Sequence, residues 1–302
     1  MATGSVDFVL RPFEGLPGEP DWVALKEVVP AATAPARTTA EHGSREVLLT
    51  TVLPMGWPAL HRDDGVVLLA LQSQGGSGDA SRDLAAVLLA ALDVEPGTAV
   101  EPEGLPGPGP RLQDVLDLTV PFEVTVEESF GYWLAPGTER TADLAAAIEE
   151  ADSGIIPTVK LSSVEAAYWC RMGSREFLRW AQPHDEQKVL DALARLHSKR
   201  ESGFDGAKFV GYFRSSGIVV PVWELARGTE AEDIEGAVAE FLPRFEAALA
   251  DETPLDANAR RPGAGGVPRL VRRRGHPPGG APPPPRRRGV LAPLTARTPR
   301  SG

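Results

Sequence analysis

Along the first hundred residues, the spacing of hydrophobic residues changes several times between a pattern typical of strands and one typical of helices. This predicts strands alternating with amphipathic helices. Residues 45–53 and 65–71 are apolar runs typical of buried strands. In residues 81–92, apolar side chains recur with helical spacing and predict a helix with one buried face. With a strand predicted at 6–11 and a helix at 21–29, the order is β-α-β-β-α.

The second half of the chain repeats this order. Its predicted elements are a strand at 177–182, a helix at 184–199, hairpin strands at 207–213 and 217–225, and a last helix that aligns Ile234, Val238, Phe241 and Phe245. Pro243 should kink or split that helix. Pro221 has no N–H to donate, so its strand should lie at a sheet edge.

The two halves also agree in the detail of one turn. Residues 61–67 and 213–219 each place a glycine-closed turn between two strands, and a helix follows in both halves. We therefore expect an internal duplication. The alternative is that unrelated hairpin–helix units look alike.

A stretch rich in proline and glycine separates the halves, since residues 95–110 cannot sustain a helix or a ladder. The expected fold class is α+β, with two related β-α-β-β-α units joined by this linker and a middle segment. The predicted segments are 5–94 (first unit), 95–110 (linker), 111–174 (middle segment), 175–256 (second unit) and 257–302 (disordered tail).

The tail contains eleven Arg and no Asp, Glu or Lys, and it has few bulky apolar residues. Such a segment cannot offset the entropy of folding, so we expect disorder. Its composition also motivates the hypothesis of a frameshifted end of a GC-rich gene, which one shared reading frame in several related strains would contradict. Alternatively, the Arg clusters at 272–274 and 286–288 bind acidic surfaces or RNA.

Charge is distributed very unevenly between the tail and the rest of the chain. The formal charge of the whole is −11, whereas residues 1–256 carry 20 basic and 42 acidic residues, a charge of −22. An acidic body repels phosphate backbones, so we expect no nucleic-acid or membrane partner for it. With no secretory signal and no long apolar run, we expect a cytoplasmic protein.

No residue pattern of a common catalytic site is present. Cys170 is the single cysteine, and the five histidines lack metal-ligand spacing. A P-loop, a nucleophile elbow and a Ser-x-x-Lys motif are also absent from the sequence. We therefore expect no cofactor and no metal, and an enzyme is the less favoured class, although an unfamiliar enzyme would escape these templates.

Five residues are candidates for binding a ligand or partner. They are Trp57, Tyr168, Trp169, Trp180 and His184. Aromatic side chains near a histidine can line a pocket, but clusters of this kind are more often part of a core.

The loop at 75–78 (GGSG), between a predicted strand and a helix start, is a candidate anion site. The alternative is a flexible loop that leads into the helix.

Several longer stretches carry a family resemblance. They are residues 11–34, 51–72, 166–170 (AAYWC), 190–197 (LDALARLH) and 211–225 (GYFRSSGIVVPVWEL). They resemble an actinobacterial family of uncharacterised proteins, many of which carry an upstream SEC-C motif, a Cys-rich zinc knuckle also found in the translocation motor SecA. With no cysteine pair here, the resemblance implies neither zinc binding nor SEC-C-mediated contacts. It implies no catalytic residues either.

These observations favour a non-catalytic binding or adaptor module that recognises an unknown protein or small molecule. One alternative is a small-molecule sensor or enzyme that uses a cleft between the two units. Another, implied only by the resemblance, is an accessory protein of export or of the ribosome.

Overall fold

A computed structural model of the chain describes residues 7–72, 76–101, 104 and 106–255. The helices are α1 (Glu19–Glu27), α2 (Ala80–Asp93), α3 (Leu112–Val115), α4 (Ala142–Asp152), α5 (Glu186–Ser198) and α6 (Ala231–Ala250). The strands are β1 (Ala32–Arg37), β2 (Glu46–Thr50), β3 (Ala59–His61), β4 (Val67–Ala70), β5 (Thr98–Val100), β6 (Thr125–Val126), β7 (Thr158–Lys160), β8 (Ala167–Met172), β9 (Arg175–Trp180), β10 (Lys208–Ser215) and β11 (Ile218–Glu224). The fold is mixed α+β, as predicted.

The strands form two sheets. The first has the order β5-β3-β4-β2-β1-β6, in which only β2 and β4 pair in parallel. The second has the order β10-β11-β9-β8-β7 and is antiparallel throughout. The predicted buried strands at 45–53 and 65–71 correspond to β2 and β4, which lie in the middle of the first sheet.

Helices α1 and α2 pack on one face of the first sheet. The apolar stripe of α2 places Leu84 and Leu88 in a core that also contains Trp22 and Leu25 of α1. The start of α2 is fixed by Asp79, whose side chain accepts hydrogen bonds from the first backbone N–H groups of the helix. The middle of this face of the sheet is therefore covered by helices.

The second sheet is buried on both faces. Successive residues of a strand point to opposite sides, so Tyr168 of β8 joins the core around α1 while Trp169 joins a second core. Helices α5 and α6 cover that second core, where Trp223 packs against Phe241. The second sheet is thus a layer between α1 and the α5–α6 pair.

A buried polar contact joins the two halves. The Asp21 carboxylate of α1 accepts hydrogen bonds from Tyr168 Oη at 2.6 Å and from Lys160 Nζ at 2.7 Å. The core that contains Trp22 of α1 also contains apolar side chains of the second half, among them Ala181 and Ile218. The halves therefore pack against each other at this contact and share one core.

Three parts of the first half differ from the prediction. Residues 7–11 form no strand, whereas residues 32–37, where no strand was predicted, form β1. Residues 98–100, within the predicted linker, form β5 because they pair with β3. The order of the first half is consequently α-β-β-β-β-α-β.

Two predictions made from proline need correction, namely the split of the last helix at Pro243 and the edge position of the strand that contains Pro221. Helix α6 runs through Pro243 as one helix, and Phe241 and Phe245 on either side of it stay buried in the core. Strand β11 is not at an edge, because it pairs with both β10 and β9. Its ladder with β9 covers Val222–Glu224 and resumes where Gln182 N donates to Val219 O, so Pro221 sits in the gap.

The predicted hairpin–helix units exist in both halves, as β3–β4 with α2 and as β10–β11 with α6. The two units pair differently with the rest of their sheets: β4 runs parallel to β2, whereas β11 runs antiparallel to β9. The duplication stays a prediction. The tail, residues 257–302, lies outside the described residues.

None of the helices in the described ranges is long and apolar enough to span a membrane.

Candidate functional site

The structure does not bring the five predicted binding residues together. Trp169 and Trp180 lie in the second core, and their Nε1 atoms donate to backbone carbonyl oxygens at 2.9 Å. Tyr168 faces the other core. His184 is exposed in the loop before α5, and Trp57 is half-buried on the first sheet. Binding by these residues remains a prediction. Of the five, Trp57 lies on the outer face of the first sheet, which is described below.

Cys170 is fully buried in β8, and burial raises the pKa of its thiol. A reactive cysteine needs a lowered pKa and access to solvent, so this residue fills space in the core. Within the described ranges, no group of three or more His, Cys, Asp or Glu side chains is arranged to hold a metal ion.

The outer face of the first sheet, opposite α1 and α2, carries a small apolar cluster that we call the outer cluster. Its buried members are Leu53, Leu68 and Ala70, and its partly exposed members are Leu48, Trp57, Leu60, Val66, Tyr132 and Trp133. Among the described residues, no pair of long α-helices covers this cluster in the way that α5 and α6 cover the second sheet. Aromatic rings from the segment at 130–133 cover part of it instead.

Hydrogen bonds hold that aromatic segment in place. Tyr132 Oη and Trp133 Nε1 both donate to the carbonyl oxygen of Val52, at 3.1 and 3.0 Å. Phe130 stacks on Trp133 with ring centroids 4.7 Å apart. Burial raises the pKa of Tyr132 to about 12, so its hydroxyl stays protonated and keeps this contact near neutral pH.

A groove of about 410 Å³ runs beside the outer cluster. Its lining residues are Leu48, Arg62, Gly131, Tyr132, Leu134, Ala135, Pro136, Gly137, Thr138 and Arg140. The volume falls within the range of pockets that take small molecules or single side chains of a partner. Most of its lining residues are apolar or glycine, and its two cations are arginines.

The two arginines of the groove differ in how their charge is used. Arg62 is mostly buried; it pairs with Asp64 at 2.7 Å and donates to the carbonyl oxygens of Tyr132 and Leu134. The hydrogen bonds that Arg62 donates to the Asp64 carboxylate hold the pKa of Asp64 below its ordinary value. Arg140 is exposed and has neither an ion pair nor a hydrogen bond within the described part of the chain. Arg140 is therefore the cation available to a ligand.

A turn at Pro54–Gly56 places an exposed methionine next to the outer cluster. Met55 is 83% exposed, and its backbone has the left-handed conformation, with φ 55° and ψ 10°. Glycine or asparagine normally occupies such a position, because a larger side chain is strained there. Leu53 and Trp57, on either side of the turn, belong to the outer cluster. The exposed Met55 side chain therefore gives the fold little packing in return for this strain.

Sequence reasoning missed most of this surface. Tyr132 and Trp133 stand in a visible aromatic stretch, but nothing in the sequence shows that they fold onto the first sheet. The only local sign of the turn was the Pro-Met-Gly-Trp-Pro run at 54–58, in which two prolines enclose two large apolar residues. Arg140 has no distinguishing sequence context.

Comparison with known proteins gives one match. No protein with curated annotation and no solved structure matches the chain. A family model described as a family of unknown function, DUF5926, matches residues 12–274. The matched range reaches Arg274, within the Arg-rich tail, and the frameshift remains a hypothesis. Because the model covers most of the sequence, the chain belongs to the DUF5926 family, whose function is unknown.

Proposed function

We propose that this protein is a non-catalytic binding module, and that the outer cluster, the Met55 turn and the groove form its contact surface. The partner in this proposal is a protein segment with an apolar side chain for Met55 and Trp57 and a carboxylate for Arg140. The observation that carries the proposal is the exposed Met55 in a left-handed backbone conformation. Strain of this kind persists where it serves an interaction outside the fold.

The composition of the surface supports a protein partner. Tyr, Trp, Met and Arg are enriched in protein interfaces, and a few such residues usually carry most of the binding energy. Trp57, Tyr132, Trp133, Met55 and Arg140 provide this set on one side of the first sheet. The aromatic rings are also held by hydrogen bonds, so little conformational entropy is lost on binding.

The charges at the surface set the chemistry of the partner segment. Arg140 is the cation without a partner, since Asp64 compensates Arg62. A carboxylate on the partner would accept a charge-assisted hydrogen bond from the Arg140 guanidinium group. The formal charge of −22 on residues 1–256 disfavours a strongly acidic partner, so one carboxylate flanked by neutral and apolar residues fits best.

The titratable side chains here do not suggest proton transfer. Tyr132 stays protonated at neutral pH, because burial raises its pKa to about 12. The Asp64 carboxylate is engaged by Arg62. This arrangement supports recognition rather than catalysis.

A peptide-display selection tests the proposal. Random peptides are selected on the wild-type chain, and enriched peptides are then measured against Arg140→Glu and Arg227→Glu. Arg227 is an exposed arginine near the second sheet, so its variant makes the same charge change away from the surface. We expect enriched peptides to combine an apolar residue with one acid and to bind Arg140→Glu at least tenfold more weakly. Equal binding to both variants would contradict the proposal.

The volume of the groove favours a second candidate, a small organic anion that binds at Arg140. Native mass spectrometry of the gently purified chain would show such a ligand as a stoichiometric added mass. Loss of that mass in Arg140→Glu, together with a failed peptide selection, would favour this candidate over a protein partner.

A further inference from the structure

A second, unrelated feature lies at the start of α2, where the chain leaves β4 and enters the helix. Arg82, in the first turn of α2, has a side chain that is only 4% exposed. Its Nη2 atom donates to Ser77 Oγ and, at 2.9 Å, to Asp83 Oδ1. Its Nε and Nη1 atoms are buried and have no hydrogen-bond acceptor among the described residues.

Buried guanidinium groups without acceptors are unusual. Nearly all buried polar groups in proteins have a partner, and an unpaired donor on a charged group is costly. The guanidinium group of arginine carries a positive charge and five N–H donors, and it has no acceptor atom. Two donors left unused at one buried guanidinium therefore favour an acceptor from outside the described residues.

The acids nearby are already engaged. Asp83 accepts hydrogen bonds from Ser77 N at 2.7 Å and Ser77 Oγ at 2.6 Å in addition to Arg82. Asp79 caps the helix and pairs with Arg111 at 2.8 Å. Neither carboxylate is placed to satisfy Arg82 Nε or Nη1.

A second cation lies close to the same carboxylate. Lys26 of α1 contacts the carbonyl oxygen of Leu71, at the end of β4, at 3.4 Å, and it interacts electrostatically with Asp83 and with its neighbour Glu27. Burial lowers the pKa of Lys26 in spite of these two acids. Two cations thus share Asp83 in a poorly solvated corner.

The backbone in this corner suits an anion. Gly76 and Gly78 flank Ser77, and glycines permit close approach of the backbone to a ligand. The N-terminus of a helix carries a partial positive charge, and the strand–loop–helix connection is a common place for phosphate groups. The sequence alone had suggested this loop, and the unpartnered Arg82 is an independent observation at the same place.

We infer that the corner formed by Arg82, Ser77 and Lys26 binds a phosphate group. Phosphate oxygens accept hydrogen bonds, which Arg82 Nε and Nη1 can donate, and their negative charge favours contact with arginine and lysine. The group is either free phosphate or the phosphate of a small phosphorylated molecule, which share this chemistry. The site lies on the α2 side of the first sheet and is independent of the proposed partner surface.

Phosphate-dependent thermal stability of the full chain tests the inference. A ligand that binds the folded state raises the unfolding midpoint in a saturable way. We expect such a rise with sodium phosphate, beyond that with sodium chloride at equal ionic strength, and the same rise in Arg227→Gln. In Arg82→Gln we expect at least a tenfold weaker affinity. No phosphate-specific rise in the wild-type chain, or an equal rise in Arg82→Gln, would overturn the inference.

Two further measurements complete the test. If Arg82→Gln does not fold, Lys26→Met replaces it, with an expected loss of affinity of threefold or more; an unchanged affinity would then overturn the inference. Glycerol 3-phosphate, titrated in parallel, separates the two sources: tighter binding than inorganic phosphate assigns the site to a phosphorylated molecule, and weaker binding assigns it to free phosphate.

Discussion

The two sheets of this protein differ in how their faces are used. The second sheet is covered by α1 on one face and by α5 and α6 on the other, so its tryptophans are buried in a core. Within the described part of the chain, long α-helices pack on one face of the first sheet, the face of α1 and α2. Its outer face carries the half-buried Trp57, the aromatic segment at 130–133 and the groove with Arg140. The second half therefore buries its aromatic residues in a core, and the first half carries the surface that we propose for binding.

The comparison also shows why aromatic residues alone are poor guides to a site. Trp180 contacts Trp223 and Phe245 within the second core, and its Nε1 donates to Glu165 O. Trp57 has the same chemistry but lies on the outer face of the first sheet, which is covered only in part, by the aromatic segment at 130–133. The coverage of a sheet face, which is a tertiary property, decides whether a tryptophan stabilises the fold or remains available for a partner.

The largest expected effect comes from truncating one tryptophan in each half. Trp180→Ala opens a cavity in a close-packed core and should cost ~3–5 kcal/mol of unfolding free energy. Trp57→Ala removes a half-buried side chain and should cost less than about 2 kcal/mol. Urea unfolding of both variants measures the difference. Equal losses would show that the two faces are equally important for stability.

A smaller effect is expected at the contact between the halves. Tyr168→Phe leaves the buried Asp21 carboxylate with Lys160 as its remaining side-chain donor, which should cost about 1–3 kcal/mol. The same urea experiment measures this loss. A change within a few tenths of a kcal/mol would mean that the buried contact does not help to hold the halves together.

The dependence of stability on alkaline pH also tests the contact between the two halves. Burial and the neighbouring Asp21 raise the pKa of Tyr168 well above its ordinary value of 10.0, so the unfolded chain ionises at this residue first. Below pH 10 the contribution of Tyr168 to stability is fully present, and it is lost as the pH rises toward the folded pKa. Each such group should lower the unfolding free energy by about 1.4 kcal/mol per pH unit in that window. Urea midpoints above pH 10 should fall less steeply in Tyr168→Phe; identical slopes would contradict this assignment.

The smallest effect on stability is expected at the Met55 turn, and it has the opposite sign. Met55→Asn relieves the left-handed strain and should raise the unfolding free energy by ~0.5–1 kcal/mol. Met172→Asn is the control, since Met172 is 39% exposed in β8, an ordinary strand of the second sheet. Thermal unfolding measures both variants. A destabilised Met55→Asn would show that this methionine serves the fold.

The parts of the fold that sequence patterns predicted are those with strong periodicity. Strands β2 and β4 and helices α2 and α5 have clear apolar patterns, and they form where expected. Strand β1 (ATAPAR) was missed because alanine and proline give it little strand propensity, so its pairing with β2 determines its structure.

The candidate surface was mostly beyond prediction, for a different reason. The left-handed backbone of Met55 and the position of residues 130–133 on the first sheet are set by tertiary contacts. Of the residues on this surface, only Trp57 was expected to bind a partner. Arg82 was likewise not singled out, although the glycine-rich loop beside it was.

The most direct test of the partner surface is photocrosslinking in cells that produce the protein. A benzophenone amino acid replaces Met55 in one variant and Met172 in another. We expect crosslinking at position 55 to give one defined protein adduct, which is lost when Arg140→Glu is added, and no such adduct at position 172. A defined adduct at position 172 with none at 55, or an adduct at 55 that persists with Arg140→Glu, would contradict the assignment of binding to the outer face of the first sheet.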